Sequence, residues 1–376
     1  MSDREKLPYG RQTITEDDVR AVVEVLRSEW LTTGPRVEAF EKAFAEFSGA
    51  QYAVAVSSGT AALHAAMHAM RIGPGDEVIV PAITFAATPN AVVYCGGTPV
   101  FADVQPGSLL IDPESVLERI TDRTRGVIAV DYAGQPCDYA DLHAIVERHN
   151  LFLAADGCHA PGAAFGGKTV GTLAELTTFS FHPVKHITTG EGGMVTTDNP
   201  VLAQRMRQFR NHGISTDFRE RMKSGVFAYE MVELGFNYRL SDIHCALGLS
   251  QLKSLPSWLE QRRRLAERYD ARFKESDAVK PLELRAGRTH AYHLYVVRIK
   301  SGRDEMFRYL REAGIGANVH YLPVYLHPFY REKFGYEEGL CAIAEAAYQE
   351  ILSLPLYPQM SFDDVDYVAD NVLNRL

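Results

Sequence analysis

Lys185 is the residue of this sequence best placed to act as a nucleophile. It follows an apolar, strand-like run that ends at Phe181, and it precedes the turn Thr188-Thr189-Gly190-Glu191-Gly192-Gly193, which leads into strand-like Met194-Val195-Thr196. A lysine at the end of a buried strand is poorly hydrated, which lowers the cost of losing its proton and makes the amine a usable imine former. The ordinary reading of a single lysine is a solvated surface charge, so the assignment depends on its company.

Three other strand ends supply that company. Ser57-Ser58-Gly59-Thr60 turns the run Tyr52-Ala53-Val54-Ala55-Val56 into an Ala-rich helix. Small residues at a helix N-terminus expose unpaired N–H groups and the positive end of the dipole, which bind phosphate, although Ser and Thr cap ordinary helices too. Asp156 directly follows Leu151-Phe152-Leu153-Ala154-Ala155. A buried carboxylate there needs a partner, either a structural ion pair or the protonated ring nitrogen of a cofactor. His159 is placed to brace it. Phe85, just after another strand, either joins the core or stacks on a planar ring. Ser180 adds a hydroxyl near Lys185. An anion cradle, a ring-nitrogen partner and an imine-forming lysine are together what pyridoxal phosphate requires. No G-x-G-x-x-G or G-x-x-x-x-G-K-[ST] occurs, so dinucleotide and Walker-type sites lose support.

The elements that position these residues alternate. Helical periodicity runs over residues 14–30, with Thr15 and Asp18 as a capping pair, and again over 37–47. Strands are predicted at 52–56, 77–80, 99–102, 126–130, 151–155 and 177–181, with helices at 85–94, 113–120 and 139–149 between them. Such alternation implies an α/β fold whose central sheet is mostly parallel and flanked by helices, with its sites at the carboxyl ends of the strands. A helical stretch over 241–273, broken near Pro256, reads as a connector. A strand at 292–299, a helix at 303–313, a strand at 316–320 and two C-terminal helices follow. The expected organisation is a large cofactor-binding domain over 1–250, including the N-terminal helical segment, then the connector and a smaller α+β domain over 251–376.

Composition bounds the partners. The chain of 376 residues is 46% hydrophobic and 23% charged with a net charge of −9, ordinary for a soluble protein and too acidic for nucleic acid as the main partner. The basic stretches Arg205-Met206-Arg207-Gln208-Phe209-Arg210 and Gln261-Arg262-Arg263-Arg264 read as solvated helix faces or subunit contacts. Five scattered cysteines without zinc-type spacing suggest reduced thiols and no metal site. No secretory signal or membrane span is read, so a cytoplasmic location is expected.

Beyond these residues, the chain resembles the DegT-type, fold-type I, pyridoxal-phosphate-dependent nucleotide-sugar aminotransferases. The resemblance is carried by Trp30-Leu31-Thr32-Thr33-Gly34-Pro35, Ser58-Gly59-Thr60-Ala61-Ala62-Leu63, Pro81-Ala82-Ile83-Thr84-Phe85, Asp156-Gly157-Cys158-His159-Ala160, Ser180-Phe181-His182-Pro183-Val184-Lys185 and Gly235-Phe236-Asn237-Tyr238-Arg239-Leu240. It implies that Lys185 binds the cofactor covalently and shuttles the proton, that Asp156 pairs with the ring nitrogen with His159 beside it, and that Phe85 stacks on the ring. It further implies that Gly59, Thr60 and Ser180 hold the phosphate. Asn237 would reach it from a neighbouring subunit, assisted by Arg239, making a homodimer with a shared active site. Dehydrating relatives carry histidine at the lysine position, so Lys185 favours transamination.

Val130-Asp131-Tyr132-Ala133-Gly134 and Val319-His320-Tyr321-Leu322-Pro323 look most like the pseudaminic-acid pathway transaminases that make UDP-4-amino-4,6-dideoxy-N-acetyl-beta-L-altrosamine, with glutamate as amino donor. His186 stands where many of these have proline. Tyr9, His320 and Tyr321 are expected at the substrate. The alternatives are a dTDP- or GDP-linked keto sugar as acceptor, or a cofactor-bound regulatory or scaffold protein without turnover.

Overall fold

In a computed structural model of the chain, which describes residues 6–216, 221, 225 and 227–376, the apolar runs become strands of one large sheet. They are β1 (Tyr52–Val56), β2 (Glu77–Pro81), β3 (Thr98–Ala102), β4 (Thr124–Val130), β5 (Phe152–Asp156), the short hairpin β6 (Ala164–Phe165) and β7 (Lys168–Thr169), β8 (Leu176–Ser180) and β9 (Gly193–Thr197). The hairpin aside, these form a seven-stranded sheet in the order β1-β9-β8-β5-β4-β2-β3. Pairs from β3 through β8 are parallel, whereas β9 is antiparallel to both β1 and β8. The strands are buried almost throughout, as their near-continuous apolar sequences require of a sheet covered on both faces.

The helices α1 (Glu16–Leu26), α2 (Pro35–Ser48), α3 (Gly59–Ala69), α4 (Ala87–Tyr94), α5 (Pro113–Glu118), α6 (Tyr139–His149) and α7 (Pro200–Phe209) lie between or before the strands. Thr15 and Asp18 cap α1 reciprocally, as their spacing predicts. A smaller sheet follows, β10 (Val279–Pro281), β11 (Tyr295–Ile299) and β12 (Ile351–Leu354). It belongs to a second buried cluster that includes Leu265, Tyr269, Val297, Leu310 and Val368.

Four expectations need correction. The C-terminal part holds three helices rather than two, Pro328–Phe334, Ala342–Glu350 and Phe362–Leu373, because Gly335 ends the first in a left-handed turn and β12 separates the others. Pro256 does not break the helix Asp242–Phe273, which runs through it. A proline costs one backbone bond, and the burial of Leu252, Leu255, Leu259 and Leu265 along the same helix outweighs that loss. Residues 316–320 do not form a strand; an isolated bridge joins Asn318 to Ser353. Nor are the basic stretches simply solvated. Arg262 is 1% exposed and donates to the Tyr292 and Leu356 carbonyls, while Arg207 and Arg210 pair with Glu41.

Candidate active site

The register of the sheet brings the predicted strand ends into one row. Val56 pairs with Gly193, and Gly193 with Ser180. The chain therefore leaves β1 beside the end of β8. Ser58 caps α3, its hydroxyl accepting from the Ala61 N–H at 3.0 Å, and the N–H groups of the first turn have no partner inside the helix. Gly59 packs so closely here that a Cβ would stand 2.8 Å from Ser180 Cβ and 3.2 Å from its hydroxyl. Gly59 and Ser180 thus meet at the start of α3, with Thr60 the next residue of its first turn.

Asp156 ends β5 and is 6% exposed. Thr88, in the first turn of α4, donates from Oγ1 to its Oδ2 at 2.7 Å, and the Cys158 N–H donates to Oδ1 at 3.2 Å. Thr84 lies 2.8 Å from Thr88 through their hydroxyls and extends this support. Among the described residues Asp156 forms no ion pair, which removes the structural alternative. His159 makes no hydrogen bond to Asp156 either. Its Nε2 is 3.4 Å from the Tyr321 hydroxyl and its Nδ1 is buried without a partner, because the ring turns towards Tyr321 and His293 rather than back to its own strand. Bracing falls to Thr88, which in the sequence is only one position of the predicted helix over 85–94.

Lys185 is half-buried. Burial pulls its amine below the usual lysine range, partly opposed by Cys158 and Asp156. Its turn is held by Thr189 N–H and the Thr188 hydroxyl, both donating to the Phe181 carbonyl at 3.0 Å. The amine itself lies 3.4 Å from His293 Nε2, a neighbour for which the sequence carries no motif. Phe85 is 59% exposed with its ring 6.0 Å from that of Tyr321, so it is not a core residue. Tyr9 lies against His320, ring centroids 5.5 Å apart. His320 is buried, engages Ser353 through Nδ1 at 2.8 Å and Asn318 through Nε2 at 3.2 Å, and accepts the Tyr132 hydroxyl at its carbonyl. With both nitrogens occupied it supports Tyr321 and offers no free polar atom.

Asn237 and Arg239 sit apart from the lysine. Asn237 is exposed and bridges to Asn211, and Arg239 Nη1 donates to Asn211 Oδ1 at 2.8 Å. The Tyr238 carbonyl accepts from the Ser57 N–H at 2.8 Å, which ties this segment to the α3 turn. A cavity of 710 Å³ opens beside it, lined by Thr33, Arg210 and Arg239 among others, and neither Lys185 nor Asp156 reaches it. Near them are Phe227, Met231 and Leu234, apolar side chains that are 97%, 64% and 75% exposed.

The residues fit pyridoxal phosphate. Gly59 leaves a cradle, the Asp156 carboxylate lacks a cationic partner among the described residues, an aromatic face is exposed at Phe85, and a buried imidazole nitrogen of His159 is unpaired. Among the described residues no group of three or more His, Cys, Asp or Glu is placed to hold a metal ion, and no helix is long and apolar enough to cross a membrane.

Known proteins align over nearly the whole chain. The DegT/DnrJ/EryC1/StrS aminotransferase family matches residues 12–373. The spore coat polysaccharide biosynthesis protein SpsC of Bacillus subtilis (strain 168) is 42% identical over 374 residues, covering 97% of this chain and 96% of that protein. Among solved structures, Helicobacter pylori PseC, an aminotransferase involved in the biosynthesis of pseudoaminic acid, superposes with a TM-score of 0.92 at 33% identity over 98% of this chain and 99% of that one. Spr1654 from Streptococcus pneumoniae, in its PLP-form, gives a TM-score of 0.92 at 32% identity over 98% of this chain and 97% of that one.

Proposed function

Since this chain belongs to the DegT/DnrJ/EryC1/StrS aminotransferase family and is a pyridoxal-phosphate-dependent sugar aminotransferase with a fold-type I architecture, we propose that it moves the amino group of glutamate to C4 of a UDP-linked 4-keto-6-deoxy-N-acetylhexosamine, as in pseudaminic acid biosynthesis. The observation that carries this reading is Lys185, half-buried with a depressed amine and under the influence of the Asp156 carboxylate, which has no cationic partner among the described residues, in a chain that shares its fold and 33% of its residues with PseC.

Bound at this site, pyridoxal phosphate supplies an electron sink that makes the carbon bearing the amino group acidic. The protein does the rest. Gly59, Thr60 and Ser180 hold the phosphate at the start of α3. Asp156, kept in place by Thr88, would pair with the ring nitrogen, and Phe85 would stack on the ring. Lys185 Nζ would take the proton from the glutamate carbon that bears the amino group and, in the second half-reaction, give a proton to C4 of the sugar, glutamate leaving as 2-oxoglutarate before the sugar accepts the amine. Tyr9 and Tyr321 line the approach to the substrate. Asn237 and Arg239 complete the phosphate site of a second copy, and the exposed apolar side chains around residues 227–236 are covered in that homodimer, which works in the cytoplasm.

The 42% identity to a spore coat polysaccharide biosynthesis protein leaves room for a second reading, a keto sugar joined to dTDP or GDP. Borohydride reduction of the loaded enzyme followed by peptide mass spectrometry tests the lysine; Lys185→Ala with full turnover would refute the mechanism. Single half-reactions with UDP-, dTDP- and GDP-linked 4-keto-6-deoxy sugars test the acceptor. Exclusive response to a non-UDP sugar overturns the pathway and spares the chemistry.

A further inference from the structure

His293 belongs to none of the motifs, yet it is the residue whose side chain stands nearest the Lys185 amine among the described hydrogen-bond partners, at 3.4 Å from Nε2. Its backbone is clamped. The Ala291 N–H donates to the Gly134 carbonyl at 2.9 Å, the Leu294 N–H to the Ala133 carbonyl at 3.2 Å, and His186 Nε2 lies 3.0 Å from the Ala291 carbonyl. The segment is thereby fixed against the loop after β4 on one side and against the lysine turn on the other. The ring is 6% exposed, 4.4 Å from the His159 ring and 5.6 Å from that of His186.

The charges facing it favour a neutral ring. Lys185, His159, His186 and Arg262 all oppose a proton on His293, and burial opposes it more strongly still. Asp156 and Cys158 act on Lys185 from the β5 end in the other sense. A neutral imidazole has one bare nitrogen. With Nδ1 buried and unpartnered, Nε2 is the nitrogen that meets the amine. We infer that His293 is a positioning residue for amino transfer, accepting a hydrogen bond from Lys185 Nζ at Nε2 and so fixing where the amine stands without adding charge beside it. The inference rests on Lys185 being the cofactor lysine.

A histidine that only packs against His159 would predict nothing about the lysine's proton, and this difference is measurable. In the full-chain apoenzyme, the pH dependence of Lys185 acylation by acetic anhydride, read by peptide mass spectrometry against surface lysines, gives the amine's apparent pKa. His293→Leu removes the acceptor and leaves the ammonium unsupported, so that pKa falls by about one unit, roughly tenfold more free amine at a given pH. His293→Gln keeps an acceptor oxygen that does not titrate and stays close to the wild type. Equal values in wild type and His293→Leu, or equal shifts in the Leu and Gln variants, overturn the inference; the second outcome assigns the effect to packing. Should the Leu variant not fold, His293→Met tests the same loss. Borohydride trapping on each variant separates the two levels: cofactor on a residue other than Lys185 overturns the underlying reading, whereas cofactor on Lys185 with an unmoved pKa overturns only the role of His293.

Discussion

Gly193→Ala asks whether the order of the sheet itself builds the phosphate end of the site. β9 threads between β1 and β8, and Gly193 is paired with Val56 on one side and Ser180 on the other. A Cβ on Gly193 would stand 2.3 Å from the Ser58 carbonyl oxygen, 2.6 Å from its carbon and 2.9 Å from the Gly59 nitrogen. All three are backbone atoms, so no rotamer change relieves the contact, and the strands must part by about 1 Å to reach ordinary van der Waals separation. That shift falls on the first turn of α3. An N–H donating to a charged phosphate contributes about 1.5–3 kcal/mol, and moving one out of reach raises the dissociation constant by roughly 10- to 100-fold at about 1.4 kcal/mol per tenfold. Overpacking costs about 1–3 kcal/mol of stability as well, within what a folded chain of this size tolerates. Absorbance titration of the apoenzyme with pyridoxal phosphate measures the first effect and a thermal melt the second. Gly73→Ala is the control, because nothing lies within 4 Å of a Cβ there. A Gly193→Ala enzyme that binds the cofactor as tightly as Gly73→Ala does would refute the proposed cradle.

Thr88→Val preserves shape while removing the hydroxyl that donates to Asp156 Oδ2 at 2.7 Å. A hydrogen bond to a charged group is worth about 1.5–3 kcal/mol, so single-turnover amino transfer should slow by about tenfold or more, with Thr88→Ser restoring most of it; an unchanged rate in Thr88→Val would leave Asp156 braced by something else. Asp131 supplies a pH prediction. It is fully buried and burial raises its carboxyl from 3.8 to about 7, against the hydrogen bonds from Cys137 and Tyr139. The folded chain therefore keeps a proton that the unfolded chain releases above 3.8, so this group's contribution to stability is complete below that pH and is lost as pH rises towards 7. Urea midpoints at pH 5 and pH 8 should differ less in Asp131→Asn than in the wild type; equal differences would show that Asp131 is ionised throughout.

The strand ends that the proposed site uses were legible because each follows a plain apolar run: Gly59 after β1, Phe85 after β2, Asp156 at the end of β5, Ser180 at the end of β8 and Lys185 beyond it. Long-range partners were not. Thr88 and Asp156 are 68 residues apart, and Lys185 and His293 are 108 apart, and no local periodicity encodes which distant side chain turns inward. Residues 316–320 were misread for a related reason. Their spacing suits a strand, but the Asn318 N–H and carbonyl pair with Ser353 alone, and the chain then bends so that Tyr321 comes beside Phe85 and His159 while His320 stays buried behind it.

Tyr9 shows how the proposed substrate side is assembled instead. It lies 311 residues from His320 in numbering but against it in space, and it is carried there by backbone bonds to the C-terminal part of the chain. Leu7 donates to the Gly314 carbonyl at 3.0 Å, Gly316 donates to the Leu7 carbonyl at 2.6 Å, and Leu356 donates to the Tyr9 carbonyl at 3.1 Å. The N-terminal arm is thus part of the same body as Tyr321, while Asp156, Ser180 and Lys185 belong to the large sheet. Strand ends in a packed sheet have little freedom to vary without moving the core, whereas an arm and an irregular segment can change their side chains with less disturbance. Specificity for one sugar over another is therefore to be sought in Tyr9 and Tyr321 and their neighbours, and the chemistry in the row from Gly59 to Lys185.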